Sequence, residues 1–197
     1  AALTFAFVIT TWLLLLATYG FAGLTGTALS AGKVVGAFQA VASDPLPFGD
    51  FVQGTFHSIS QVFLKGNGLS ALLLLVGLAV NSLAAGAFAL AGAILAVIVA
   101  HLLGAESDLI TGGLLGFSPV LTAIALGTVF YRPSLRVALY TALGTAMTVV
   151  AQAALNVALT PFAIPALTAP FVLVTWMFMA PRERFERSAN RRSRKAA

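Results

Sequence analysis

The sequence predicts an all-α integral membrane protein, and three observations carry that prediction. First, 59% of its 197 residues are hydrophobic and only 9% are charged, with a mean hydropathy of +0.99. Soluble domains carry roughly a quarter charged residues, so neither a water-soluble globule nor a disordered chain fits. Second, the charges lie far apart: none falls between Lys65 and Glu106, between Asp108 and Arg132, or between Arg136 and Arg182. A helix crossing a bilayer core needs about 20 apolar residues, and these gaps are long enough. Third, the apolar stretches run on without the alternation of a lipid-facing barrel strand, which leaves helices as the way to satisfy the backbone in lipid.

Six spans follow along the chain, with two half-membrane helices beside them. The first runs from about Leu3 to Leu24, and an extracytoplasmic connector over 25–50 leads into the rest. The uncharged stretch from Gly66 to Ala105 divides into spans at about 69–80 and 83–104, turning at Asn81 and Ser82. Further spans are expected at about 114–131, 137–158 and 166–180. Two pieces, Phe51 to Leu64 and Thr160 to Pro165, are apolar, too short to cross, and close to Gly or Pro. They are expected as half-membrane helices, which persist only where protein or a cavity surrounds them.

Charge orients these spans. Residues 181–197 hold seven bases and two acids, so the whole net charge of +5 sits in this tail. A basic run directly after a helix is expected to be a cytoplasmic anchor under the positive-inside rule, rather than a nucleic-acid contact. With the tail inside, alternation puts nine bases inside, and two bases and all four acids that precede the tail outside. That bias favours six spans over five or seven. The start, Ala1-Ala2-Leu3-Thr4, has no basic n-region and no initiator Met, so no cleavable signal is expected. The expectation is that the chain begins inside a larger protein.

An internal repeat accounts for that start. Residues 2–12 (Ala-Leu-Thr-Phe-Ala-Phe-Val-Ile-Thr-Thr-Trp) overlay residues 166–176 (Ala-Leu-Thr-Ala-Pro-Phe-Val-Leu-Val-Thr-Trp) at an offset of 164. Seven of the eleven pairs are identical, and the only two tryptophans, Trp12 and Trp176, fall opposite each other. Five spans separate the copies, so they run in opposite directions, the mark of an inverted-repeat transporter whose path lies between repeats. Residues 1–24 are then the last span of a first repeat and residues 51–180 a second repeat.

The available chemistry is narrow. There is no cysteine, no His-Glu-x-x-His and no pair of acids within a span; His57 and His101 stand apart. Neither an enzyme nor a metal or cofactor site is expected from these residues, unless Glu106, Asp108 and His101 assemble in space. Spans without charge also argue against a proton- or ion-coupled pump. Passive passage of a neutral polar solute remains, and it needs fixed hydrogen-bond partners in an apolar slot. Gln61 offers an amide, either to such a path or to an ordinary interhelical bond. Thr168, two residues before Pro170, offers a hydroxyl and a backbone carbonyl freed by the proline, or a local helix bond. Phe63, Phe117 and Phe171 could wall a slot or face lipid and core. His57 is expected at the interface, and Glu106 and Asp108 in a solvated loop.

Ile164-Pro165-Ala166-Leu167-Thr168-Ala169-Pro170-Phe171 closely resembles the Leu-Pro-x-x-Thr-x-Pro-Phe signature of the urea transporter family. Ile59-Ser60-Gln61-Val62-Phe63 resembles that family's short pore helix, and Gly113-Leu114-Leu115-Gly116-Phe117-Ser118-Pro119 its Gly-Leu-Tyr-Gly-Phe-Asn segment. The resemblance implies two inverted repeats, two half-membrane pore helices and a homotrimer with one pore per subunit in the full-length protein. Urea would pass single file between oxygen ladders and aromatic faces. By matching, the substrate-binding set is Gln61 and Val62 at one end of a ladder, Phe63 as a stacking ring, Thr168 near the middle with Phe171 beside it, and Thr4 as the equivalent threonine of the first repeat. The family more often carries its ring at the next position, which is Leu64 here. Ala1 and Ala6 replace the first-repeat signature prolines, and Lys65-Gly66-Asn67-Gly68 replaces a more usual Asn-Asn-Pro. The expected function is passive urea transport in a bacterial inner membrane, suggested by the short loops. A partial copy of the repeats is expected not to conduct alone. The alternatives are a channel for another small neutral solute, such as a short amide or ammonia, and a non-conducting structural membrane subunit.

Overall fold

The computed structural model describes residues 1–21 and 45–181. The described residues are helical, with no strand. The connector expected over 25–50 and the basic tail expected over 181–197 lie largely outside them.

Local chemistry sets the helix boundaries. Helix α1 (Phe5–Gly20) starts at Thr4 and stops where Phe21 turns extended. Helix α2 (Phe48–Ser60) follows Pro47, runs into one 3₁₀ turn (Gln61–Phe63) and ends at Leu64 in the left-handed region. It therefore begins three residues before the half-membrane piece expected from Phe51. Asn67 opens helix α3 (Gly68–Asn81) by accepting the Ser70 amide, and α2 and α3 are bent by 72° from each other. Ser82 serves two helices. Its amide closes α3 on Leu78 O at 2.7 Å, and its hydroxyl accepts the Ala85 amide to open α4 (Leu83–Leu102). Such caps satisfy donors that a helix end leaves unpaired, and they fix the turn at the two residues expected.

After the short helix α5 (Ser107–Thr111) comes α6 (Phe117–Ile124), which widens into a π-helical turn over Ala125–Val129. Ser134 caps α7 (Leu135–Leu159), which is followed by a 3₁₀ turn over Thr160–Phe162. The last described helix, α8, covers Ala169–Pro181. The Thr160-to-Pro165 piece is thus not a half-membrane helix. Thr160 Oγ1 bonds back to Asn156 O, and Pro161 sits at the start of the 3₁₀ turn, where its missing N–H costs least. The piece is the tail of α7 and an extended approach to α8.

Measured by length and apolarity, two stretches can cross a membrane unaided, Leu83–Leu102 and Leu135–Phe162, or three if the bent α2–α3 pair is one span. Helices α1, α6 with its π turn, and α8 are apolar but shorter. At 1.5 Å per residue, the 16 residues of α1 rise only about 24 Å against a core of about 30 Å. The six full-length spans expected are shorter helices where turns such as those at Leu3 and Leu167 take residues out of the helix.

Packing is inside-out relative to a soluble protein. The fully buried side chains include Gln152, Thr122, Thr141, Thr145, Thr148 and Thr175, whereas Leu69, Leu73, Val76, Val80, Leu135, Leu139 and Leu143 are exposed. Leaving such apolar rows in water forgoes roughly 25 cal/mol per Å²; lipid tails remove that penalty. In place of hydrophobic sorting, close approach and polar bonds join the helices. The inward face of α4 is almost all alanine and glycine: Ala85, Gly86, Ala89, Gly92, Ala93, Ala96 and Ala100, with Val97 the one larger residue. A Cβ on Gly92 would sit 2.5 Å from that of Ala123 on α6. This is a multi-pass helical membrane protein.

Candidate functional site

Two matching turns meet at the centre of the site. Leu3 and Leu167 share the left-handed conformation, φ 50° and 51°, which costs a β- or γ-branched residue on the order of 1 kcal/mol. Each turn closes the same way: Phe5 N bonds Ala2 O and Ala169 N bonds Ala166 O, then Val8 N bonds Thr4 O and Val172 N bonds Thr168 O. The carbonyl that Pro170 would have freed, that of Ala166, is therefore taken, and so is that of Thr168. What Thr168 offers is its hydroxyl.

That hydroxyl lies 2.7 Å from the hydroxyl of Thr4. Around this pair the segments exchange equivalent bonds. Trp12 Nε1 donates to Pro165 O at 2.9 Å, and Trp176 Nε1 donates to Ala1 O at 2.9 Å, each residue being its counterpart's number shifted by 164. Tyr19 Oη donates to Phe162 O. As the number rises along α1 from Thr4 to Trp12 to Tyr19, the partner falls from Thr168 to Pro165 to Phe162. The segments therefore cross antiparallel.

Beside the crossing is a pocket of about 160 Å³ lined by Phe7, Gln61, Val62, Phe63, Leu64, Phe117, Leu167 and Thr168. Four of the six predicted site residues, Gln61, Val62, Phe63 and Thr168, come together here. Phe63 and Leu64 both line it, so neither excludes the other. Thr4 reaches the site only through its bond to Thr168. Phe171 does not line this pocket: it is buried against Leu3, Leu121, Ala125, Phe130 and Val172. The ring that does line it from the crossing is Phe7, the repeat counterpart of Phe171. The sequence pairs the two rings, and the structure gives them different neighbours.

The C-terminal end of α2 is held by glycines and carbonyls of the α5–α6 turn. Gly113 has φ +70°, and a Cβ there would collide with the His57 carbonyl carbon and the Ser58 amide nitrogen; one on Gly116 would collide with Ser58 Oγ and Cβ. Only glycine allows this approach. His57 Nδ1 is 2.8 Å from Thr111 O, so this ring nitrogen carries the hydrogen and His57 ties α2 to the end of α5. Gln61 Nε2 donates to Gly112 O at 3.2 Å. Using the NH₂ end this way fixes the amide, and Oε1 remains as an acceptor with no bond among the described residues. Gln61 therefore both makes an interhelical bond and lines the pocket.

The pocket is uncharged and mostly apolar-walled, and two polar residues, Gln61 and Thr168, line it. The Thr4–Thr168 pair can both donate and accept, since two hydroxyls sharing one bond keep one hydrogen and three lone pairs. Such an inventory suits a small neutral solute carrying N–H and C=O groups. A larger pocket, about 440 Å³, lies between Leu46, Phe48, Phe51, Ile98, His101 and Leu102, but its one polar side chain gives no converging set of partners.

A comparison with individual curated proteins gives no match. The family model described as Urea transporter matches residues 1–183, a range that contains both threonine turns, the α2 tip and every wall of the pocket, and the chain belongs to the urea transporter family.

Proposed function

We propose that the pocket is one wall of a passive path for urea, travelled down its gradient. The observation that carries this reading is that Gln61 and Thr168 line one uncharged pocket together with Phe7, Phe63 and Phe117. A planar, neutral, donor-rich solute leaving water needs replacement acceptors there, because an unpaired polar group in an apolar slot costs several kcal/mol. The reciprocal bonds of Trp12 and Trp176 and the antiparallel crossing support an inverted repeat about the Thr4–Thr168 pair. Homotrimeric assembly, a bacterial inner-membrane location and a cytoplasmic C-terminus complete the proposal, the last resting on the basic tail.

The same symmetry says what a complete path needs. Among the described residues, no segment stands to Phe171 as Gln61–Phe63 stands to Phe7. A second wall, from a further stretch of polypeptide or another chain, would complete the path on the other side of the crossing. Vesicles carrying this chain alone are therefore expected to shrink and recover in stopped-flow light scattering at the rate of empty vesicles after a urea jump. Vesicles carrying the assembly with both walls should equilibrate urea fast. Fast flux through the chain alone would overturn the two-wall reading, and an assembly impermeable to urea would overturn the function. The pocket's inventory equally admits a short amide, which competition between acetamide and urea separates. A non-conducting structural subunit predicts no flux with either.

A further inference from the structure

The longest run of buried polar side chains lies behind the pocket, on the face that α7 turns toward α6. Gln152, at 1% exposure, is among the largest fully buried side chains. Both ends of its amide are used: Oε1 accepts from Ser118 Oγ at 2.6 Å, and Nε2 donates to Asn156 Oδ1 at 3.1 Å. Ser118 is wholly buried and directly follows Phe117, a wall of the pocket. Its oxygen also lies 3.4 Å from Leu167 O, the residue that forms the left-handed turn before Thr168. One buried chain of contacts thus joins Asn156 and Gln152 to Ser118 and on to two opposing parts of the pocket wall. Gln152 itself does not line the pocket.

A leucine held at φ 51° stays there only when its surroundings over-determine it. Two features do so at Leu167: the Ala169–Ala166 bond that closes the turn and the Ser118 hydroxyl beside its carbonyl. Where that hydroxyl sits depends on Gln152. A serine has one hydrogen, and Ser118 directs it mainly to Gln152 Oε1 at 2.6 Å while sharing it with Leu167 O at 3.4 Å, so the position of Oε1 sets how the hydroxyl meets the turn. The amide in turn is oriented by Asn156, since only Nε2 can donate to Oδ1. Leucine at 152 would fill similar space without the acceptor, and glutamate would lose the donor toward Asn156.

We propose that Gln152 is a positioning residue of the solute path: through Ser118 it sets the spacing between Phe117 and the Leu167–Thr168 turn, and with it which neutral solutes the slot passes. The inference rests on the pocket being the path. It differs from a packing role in what it changes, because loss of folded channels scales every flux alike, whereas a reset slot changes their ratio.

The test measures urea and N-methylurea fluxes by stopped flow in vesicles of the complete assembly, for wild type, Gln152→Leu, Ser118→Ala and the double variant. Each single variant is expected to change the urea to N-methylurea ratio about three-fold or more, and the double variant to match the singles, because the two residues act as one unit. Ratios unchanged while both fluxes fall together would overturn the inference, as would fully additive effects. Ser118→Ala removes a single oxygen and keeps the test available if Gln152→Leu does not fold. Thr168→Val separates the two levels: if it leaves urea flux unchanged, the pocket is not the path. If it slows urea while the ratios of the 118 and 152 variants stay at the wild-type value, only the positioning role fails.

Discussion

Replacing Thr168 with valine isolates the polar contribution of the crossing. The side chain keeps its branched shape and loses its oxygen, so packing against α1 is conserved while the 2.7 Å bond to Thr4 Oγ1 disappears. Interhelical polar bonds in membrane proteins average only about 0.6 kcal/mol, and the fold should weaken by about that much. Permeation should suffer more. With Thr168 the pair keeps three lone pairs and one hydrogen for a passing solute; with valine a methyl group lines the pocket in its place. Leaving a neutral N–H unpaired in a dry slot costs about 1–3 kcal/mol, and at 1.36 kcal/mol per factor of ten urea should cross about five- to about 150-fold more slowly. Stopped-flow light scattering on vesicles of the complete assembly, normalised to folded protein, reads the rate, and thermal denaturation of the same samples reads the fold. Thr4→Val is the control: it breaks the same bond but leaves the lining oxygen of Thr168 in place, so its flux should fall less. A Thr168→Val protein that loses stability by several kcal/mol and keeps its flux per folded channel would refute the reasoning, since the hydroxyl would then be a structural pin.

Gln61→Leu should lower urea flux about ten-fold, because Oε1 is lost as an acceptor; its bond to Gly112 O adds only about 1 kcal/mol to stability, so the melting temperature should shift little. Gly116→Ala drives a methyl into Ser58 on α2, and overpacking of this kind costs about 1–3 kcal/mol; melting should drop and flux fall with it as the α2 tip moves. Phe7→Leu and Phe171→Leu should part company despite their matching positions in the repeat. The first, in a pocket wall, should alter flux with little change in melting, and the second, buried in an apolar cluster, should lower the melting temperature. Equal behaviour of the two in both assays would contradict their different placement.

The fold was legible where chemistry acts locally. The Asn81–Ser82 turn could be read because a serine between two apolar runs has few other roles, and its two caps show why. Span length was not legible, because hydropathy registers apolar residues whether or not they are helical. The left-handed leucines at 3 and 167 look like ordinary span interiors in composition, and so does the extended stretch before α8. The Thr160-to-Pro165 piece misled for the same reason: proline near an apolar run signals a break, but not whether a new helix follows it. Gln152 escaped notice because an isolated amide in an apolar span resembles any interhelical bond until Ser118 and Asn156 are seen at its two ends.

The repeat was the most informative signal because the matched threonines meet and each matched tryptophan bonds the opposite segment. Trp12 and Trp176 each donate to a backbone carbonyl of the opposite segment, Pro165 O and Ala1 O, which is present whatever side chain stands there. Thr4 and Thr168 satisfy each other across the crossing. Of the seven identical pairs, Thr4 with Thr168 and Trp12 with Trp176 bond across the crossing through their side chains, whereas Ile9 and Leu173 or Thr10 and Val174 differ. Phe7 and Phe171 are another identical pair. A ring recurs at both positions, yet only Phe7 meets an α2 tip among the described residues, so one lines a pocket and the other is packed. Sequence symmetry therefore locates the crossing, while the role of each matched residue depends on which elements pack beside it.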